Sequence, residues 1–356
     1  MENYHDVTLV EKGSEWRTIG YGVGVWKNGL EILKKLPLNQ AFWDSGCAVK
    51  EGGALNRNAE IVRLESFEEI NGMPWAISFE REIIHQAIHE LLSSTIVKFN
   101  TTISSITQLT SGVETEFNDG TKNKFDIVVG ADGIRSRVRD LIFGKNKLKS
   151  YGWNIWGAWI PARLSPFPGY FVMGGNGECL LGFPYHERQA IGLMYRSESV
   201  NWPTLPKNHE EILEKFPLIK EHIHELVFSI EDLPTMFNDK LQYAEMDQWY
   251  DKRVVLIGDA RHGMSPLTGM GTSLALEDAY VLAEELNHDQ AIPAALENFS
   301  VRRNRRLETI KPFRKIIEGV GMPKSPMREK IRDFALGHMP NAFPKRLFKK
   351  MFELKI

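Results

Sequence analysis

The sequence predicts a mixed α/β fold in which a parallel sheet is interleaved with a mostly antiparallel sheet and closed by C-terminal helices. Two segments, residues 125–139 and 253–286, each read as an apolar strand, an abrupt turn built on Gly and Asp, and a helix. Between them, residues 151–196 alternate with period two and are rich in aromatics, including Trp153, Trp156, Trp159, Phe171 and Phe183. That texture belongs to antiparallel strands with one face on a core or pocket. Beyond them, Leu307, Ile310, Phe313, Ile316 and Ile317 recur at helical spacing.

Composition narrows the class. The chain has 356 residues, 42% hydrophobic and 25% charged, which is ordinary for a globular protein and enough for one large or two interleaved domains. A net charge of −2 gives no pull toward nucleic acid or an anionic membrane. Cys47 and Cys179, the only cysteines, show neither metal-ligand spacing nor a disulfide framework, so a reducing cytoplasmic setting is expected and no metal. No apolar targeting core or run of transmembrane length is present.

The second Gly-Asp segment carries the most chemistry. Residues 254–257 read as a buried strand, Gly258-Asp259 as the turn, Pro266, Gly269, Met270 and Gly271 as a loop, and the following residues as a long helix. A carboxylate at a strand's carboxyl end, beside the free amides of a helix start, suits a polar ring-bearing ligand with hydroxyls and carbonyls. Glycine at 269 and 271 lets backbone approach such a ring closely. This is the pattern of a cofactor seat.

The other elements follow in order. Residues 5–11, HDVTLVE, read as a strand closed by an acid, with Lys12-Gly13 turning away. In dinucleotide-binding sheets such an acid accepts from ribose hydroxyls, which fits Glu11; an acid that merely ends a strand is the competing reading. Residues 17–36 read as a glycine-containing loop leading to a helix, with Arg17 placed either on a phosphate or nicotinamide group or in solvent. The stretch 78–84 reads as a helix start with Ser78 as N-cap and Arg81 in the first turn. Val113–Phe117 and residues 125–129 frame an Asn118-Asp119-Gly120 turn and read as a hairpin whose second strand runs into GADGIRSRVR, residues 130–139. Residues 209–216 read as a polar helix. The run RRNRRLETIKPFRK reads as a solvated helix face packed by its apolar side on the cofactor domain. In the basic tail, Phe343, Leu347, Phe348, Met351 and Phe352 between lysines leave a membrane surface or a partner as the alternative to packing.

GDARH at 258–262 with Pro266 and Gly269-Met270-Gly271, together with GADGIRSRVR, resembles the GD and DG motifs of the class A, single-component FAD-dependent aromatic hydroxylases, the p-hydroxybenzoate hydroxylase fold. The order of the motifs matches that family across almost the whole chain. The resemblance implies a Rossmann-like FAD-binding parallel sheet built from residues 1–36, 76–150 and 247–292. It implies a substrate-binding layer from 37–75 and 151–246, and C-terminal helices from 293–356. It further implies that Asp259 accepts from flavin ribityl hydroxyls, that Arg81 reaches the FAD, and that Asp132 and Gly133 turn near the pyrophosphate. Arg135 and Arg139 would support phosphates of FAD or NAD(P)H, and the helix start at Gly269–Thr272 would face the pyrimidine edge of the flavin.

The glycine-rich turn and first helix that hold the pyrophosphate in that family would precede His5, on the scale of a βα unit of about thirty residues. Only residues 1–4 stand there, so a shortened gene start and a natural variant both stay open. For function, the resemblance implies that NAD(P)H reduces FAD and that a flavin C4a-hydroperoxide hydroxylates an aromatic or polycyclic small molecule, with O2 as co-substrate. The competing class is a truncated paralogue that binds a ligand or is inactive; a third is a flavin reductase or dehydrogenase that uses no oxygen. No substrate base stands out, and His262 reads as a structural loop histidine.

Overall fold

The computed structural model of the chain describes residues 5–16, 22–67, 69, 72–92, 95–199, 201–323 and 325–352. The largest sheet has seven strands in the order Phe237–Ala244, Leu148–Pro161, Arg188–Arg196, Glu178–Pro184, Tyr170–Gly175, Glu51–Leu55, Ile61–Ser66. All neighbours are antiparallel except Tyr170–Gly175 with Glu51–Leu55. The period-two alternation of the sequence splits its side chains between two faces. One face, with Trp156, Phe171 and Leu193, packs on the helices His209–Lys215 and Lys220–Phe228 through Phe216, Ile223 and Val227. The other, with Ile155, Val172 and Met194, meets Leu267 and Met322. This second face therefore adjoins the loop that follows Asp259.

The expected parallel sheet is present as short pieces. Thr8–Val10 pairs in parallel with Ile96–Lys98. Val128–Gly130 pairs in parallel with Val254–Leu256, which has Tyr250–Asp251 on its other side. A separate antiparallel sheet joins Gly22–Trp26, Ala76–Glu80 and Cys47–Ala48. Behind these strands the helix Gly271–Asn287 lies against Lys27–Leu33 and against the 30-residue helix Ile292–Gly321. At Gly29 a Cβ would sit 2.9 Å from Ser273 Oγ and 3.0 Å from its Cα, so only glycine allows that approach.

Four expectations are corrected. Ser78 is not an N-cap: it lies inside the strand Ala76–Glu80, fully buried and paired opposite Gly24, and the helix begins at Arg81 with Glu80 before it. Two flanking strands supply backbone partners there, which overrides the capping signature. The hairpin closes as Val113–Phe117 with Lys122–Phe125, and the chain then breaks before Val128–Gly130, which joins a different sheet. The basic run is not wholly solvated, because Arg303 and Arg306 are buried against Glu277 and Asp278. Finally, the helix Ala342–Phe352 turns Met351 and Phe352 inward, with Leu347 and Phe348 beside them, so these four side chains pack on the body while Phe343 stays exposed. Among the described residues no helix is long and apolar enough to cross a membrane.

Candidate functional site

Two Gly-Asp turns come off neighbouring parallel strands at the same edge. Val128, Val129 and Gly130 stand opposite Val254, Val255 and Leu256, and Ile257 N donates to Gly130 O at 3.0 Å. Gly258 then takes φ +57°, which favours glycine, and Asp259 opens the short helix Asp259–His262. On the neighbouring strand, Gly133 takes φ +77° with open space around it, and Ser136 caps the helix Arg137–Phe143.

Side chains lock the two turns together. Asp132 accepts from Arg137 N at 2.6 Å, Val138 N at 3.1 Å and the Ser136 hydroxyl, so its carboxylate is committed to its own helix start. Arg139, 1% exposed, donates to Ile134 O at 2.8 Å and across to Ala260 O at 3.1 Å. It thereby ties the first turn to the second instead of projecting outward. Arg135 is exposed; it pairs with Asp239 and lies 4.2 Å over the Trp202 ring, which draws it toward the large sheet.

Behind the second turn sits a buried charge cluster. One oxygen of Asp278 accepts from Gly258 N at 2.7 Å and lies 2.6 Å from His262 Nε2, while the other accepts from Arg303 Nε at 2.6 Å. Arg303 and Arg306 both pair with Glu277, which also accepts from Asn28. Burial works against ionisation of Asp278 and Glu277, but the facing cations outweigh it and hold both carboxyls below their ordinary values. Sequence reasoning missed this cluster. Its signal was present: Glu277 and Asp278 occupy the inward positions of a helix otherwise marked by Leu274 and Val281.

In front of the turn lie Asp259, Arg81 and the start of the long helix. Pro266–Thr268 forms a tight turn, Gly269 takes φ +61°, and Met270 is buried with no side-chain cap for the helix Gly271–Asn287. A Cβ at Gly271 would lie 3.7 Å from Asp259 Oδ1, so the carboxylate adjoins the amide-rich, dipole-positive helix start. Asp259 is solvent-accessible as a residue yet closely hemmed by protein. Burial pushes its carboxyl up, while His262 and Arg81 oppose the shift. Burial likewise lowers Arg81, offset by Asp259, and among the described residues Arg81 makes no ion pair within 4 Å. Its Nε donates to His85 Nε2 at 3.5 Å.

The helix Arg81–His89 runs away from this group for about 12 Å at 1.5 Å per residue. At its far end Trp16 stacks on His89 at 4.0 Å. Glu11 ends its strand and accepts from Gly13 N at 2.7 Å; Lys12 is exposed beside it. Arg17 lies outside the described residues. Two surface hollows, one beside Ile142, Met246 and Asp251 and one beside Leu30, Trp43 and Met73, contain none of the candidate residues, so chemistry rather than concavity marks the site.

A hydroxyl-accepting carboxylate, an unpaired desolvated arginine, glycine turns with open space, and uncapped helix amides fit a ligand that combines polyol, phosphate and a ring with carbonyls. FAD is such a molecule. A family profile described as FAD binding domain matches residues 5–311. The chain is 28% identical over 361 aligned positions to the 2-heptyl-3-hydroxy-4(1H)-quinolone synthase of Pseudomonas aeruginosa, covering 98% of this chain and 91% of that protein. Its fold is similar to the crystal structure of Klebsiella pneumoniae HpxO complexed with FAD and uric acid, with a TM-score of 0.82 and 18% identity over 99% of this chain and 98% of that one. It is also similar to 2-methyl-3-hydroxypyridine-5-carboxylic acid oxygenase, with a TM-score of 0.74 and 23% identity over 96% and 90% of the two chains. With FAD as its cofactor, the chain belongs to this FAD-binding family, the class A single-component FAD-dependent monooxygenases.

Proposed function

We propose that this chain hydroxylates a small aromatic or polycyclic molecule, consuming one NAD(P)H and one O2 and releasing water. The observation that carries this reading is the in-register pairing of Val128–Gly130 with Val254–Leu256, which delivers both Gly-Asp turns to one edge in front of Arg81. By name one relative is a hydroxyquinolone synthase and one structural neighbour a hydroxypyridine carboxylic acid oxygenase, and a flat, oxygen-bearing ring of that kind suits the aromatic face of the large sheet. When bound, FAD carries two electrons from the nicotinamide to O2 and delivers one oxygen atom to the ring.

The chain's own residues position and shield. Asp259 accepts from the ribityl hydroxyls, and Arg81 balances the diphosphate. The helix start at Gly269, Met270 and Gly271, set by Pro266, presents amides to the pyrimidine edge, where they stabilise negative charge. Glu11 holds the adenosine ribose, with Lys12 beside it. Asp132, Gly133 and Arg135 shape the turn nearest the diphosphate. The large sheet and the Pro266–Thr268 turn keep water from the reacting ring.

The test is oxygen uptake by the FAD-loaded chain with NADH or NADPH and a panel of phenols, quinolones and hydroxypyridines. The reading expects substrate-stimulated uptake and a product heavier by one oxygen atom. Nicotinamide oxidation without oxygen consumption would instead establish a reductase or dehydrogenase.

A further inference from the structure

The helix Pro326–Gly337 lies on the body the opposite way round from an ordinary surface helix. Such a helix turns its apolar stripe to the core and its charges to water. Here Glu329 and Arg332 are buried, while Met327, Ile331 and Phe334 are 72%, 55% and 67% exposed.

Polar anchors fix that orientation. Glu329 accepts from Arg57 Nε at 2.6 Å and from Asn176 N at 3.1 Å, and a Cβ on Gly175 would lie 2.6 Å from its Oε1. Arg332 donates to Val320 O at 3.0 Å and to Gly174 O at 2.9 Å. Rolling the helix over to hide its apolar side would strip two buried charges of these partners, a change that buried charges resist strongly. The apolar side is therefore held outward.

The outward face has a definite charge pattern. At about 100° per residue, Met327, Ile331 and Phe334 fall within roughly 60° of arc, and Arg328 and Lys330 stand on its two flanks. His338 stacks on Phe334 with ring centres 4.1 Å apart and broadens the surface. Both acids of the helix are engaged within the protein, Glu329 with Arg57 and Asp333 with Arg332. Among the described residues from 326 to 352, every exposed charged side chain is a cation: Arg328, Lys330, Arg346, Lys349 and Lys350. The whole chain, at net −2, is not drawn to an anionic surface, so the attraction belongs to this region alone.

We propose that this face docks the protein on an anionic lipid surface, with Met327, Ile331 and Phe334 among the upper acyl chains and Arg328 and Lys330 reaching the headgroup phosphates. A single apolar stripe flanked by long cationic side chains is the pattern of an in-plane interfacial helix. A second copy fits less well, because a two-fold contact on this helix would bring its flanking cations together with no exposed acid to meet them. Neither of the two surface hollows includes a residue of this helix, and a fluid lipid surface is a partner that needs no preformed pocket. The proposal is independent of the monooxygenase reading: it concerns where the chain sits, not what it oxidises.

The experiment is co-sedimentation of the full chain, with FAD present, on vesicles of phosphatidylcholine alone or mixed with phosphatidylglycerol. Partition onto the mixed vesicles is expected to be about tenfold stronger than onto the neutral ones and to weaken as salt rises. The double variant Arg328→Gln, Lys330→Gln is expected to bind the mixed vesicles about 10- to 30-fold more weakly. Phe334→Ser is expected to lose about tenfold, and Ile331→Ser, one turn away on the same stripe, stands in should Phe334→Ser fail to fold. Because these side chains are exposed, melting temperature and flavin spectrum are expected to stay unchanged in all of them. No binding to the mixed vesicles overturns the proposal, as does equal binding to neutral ones or binding that both apolar variants retain. Sedimentation equilibrium without vesicles reads the other occupant: self-association of the wild type that Phe334→Ser abolishes assigns the face to a second copy and overturns the lipid assignment.

Discussion

The carboxylate of Asp278 accepts the Gly258 amide at 2.7 Å, so the backbone of the cofactor turn is fixed from behind by a side chain 20 residues further along the chain. The same carboxylate meets His262 and Arg303, and Arg303 also bonds Glu277. The turn that presents Asp259 is thus held by a buried ion cluster rather than by its strand alone.

Asp278→Asn tests that support. It keeps the shape but takes a negative charge from Arg303 and replaces an acceptor with an amide that can face the wrong way. Breaking a buried pair in this manner costs about 3–5 kcal/mol. Urea unfolding of the FAD-free chain is expected to show a loss of that size, and the folded fraction is expected to bind FAD more weakly. An unchanged midpoint would mean that the turn stands without this brace.

Acid stability follows from the same groups. Asp278 and Glu277 sit below their ordinary values in the folded chain, despite burial, because His262, Arg303 and Arg306 outweigh it. Their ionised forms therefore favour folding. That contribution is complete above the ordinary carboxylate range, about pH 4, and is lost as pH falls through the lower folded values. Unfolding between pH 4 and pH 2, followed by circular dichroism, is expected to be steeper in the wild type than in Asp278→Asn.

Asp259 has the opposite sign. Burial raises its carboxyl, so any stability it contributes is present when it is protonated and is lost as pH rises through the raised value. At neutral pH its charge opposes folding of the FAD-free chain, and Asp259→Asn is expected to melt no lower than the wild type there. A large loss of stability would show that Asp259 serves the fold.

Arg139 joins the two turns by donating to Ile134 O and Ala260 O. Arg139→Met keeps the apolar stem and leaves both carbonyls without that donor, at a cost of about 2–4 kcal/mol. Chemical denaturation measures it. A neutral result would make the contact between the turns incidental.

Much of this arrangement was readable from the chain. The GD and DG turns, the antiparallel aromatic sheet and the long C-terminal helix all follow from local pattern: apolar runs ending in Gly-Asp, period two, then period 3.6. What escaped depended on distant partners. Ser78 carries a capping signature, but strands Gly22–Trp26 and Cys47–Ala48 claim its backbone from either side. Arg303 and Arg306 look like any solvated pair until Glu277 and Asp278 turn inward opposite them. Charge at an inward helix position was the available clue, and it becomes legible only when both helices are considered together.

In the proposed function FAD lies across the edge formed by Asp259 and Arg81, and FAD titration by flavin fluorescence measures whether it does. The wild-type chain is expected to bind FAD, with Arg81→Gln and Asp259→Asn each weaker by about 10- to 100-fold, the range of one hydrogen bond to a charged group. Equal binding by wild type and both variants, at matched stability, would place the cofactor elsewhere.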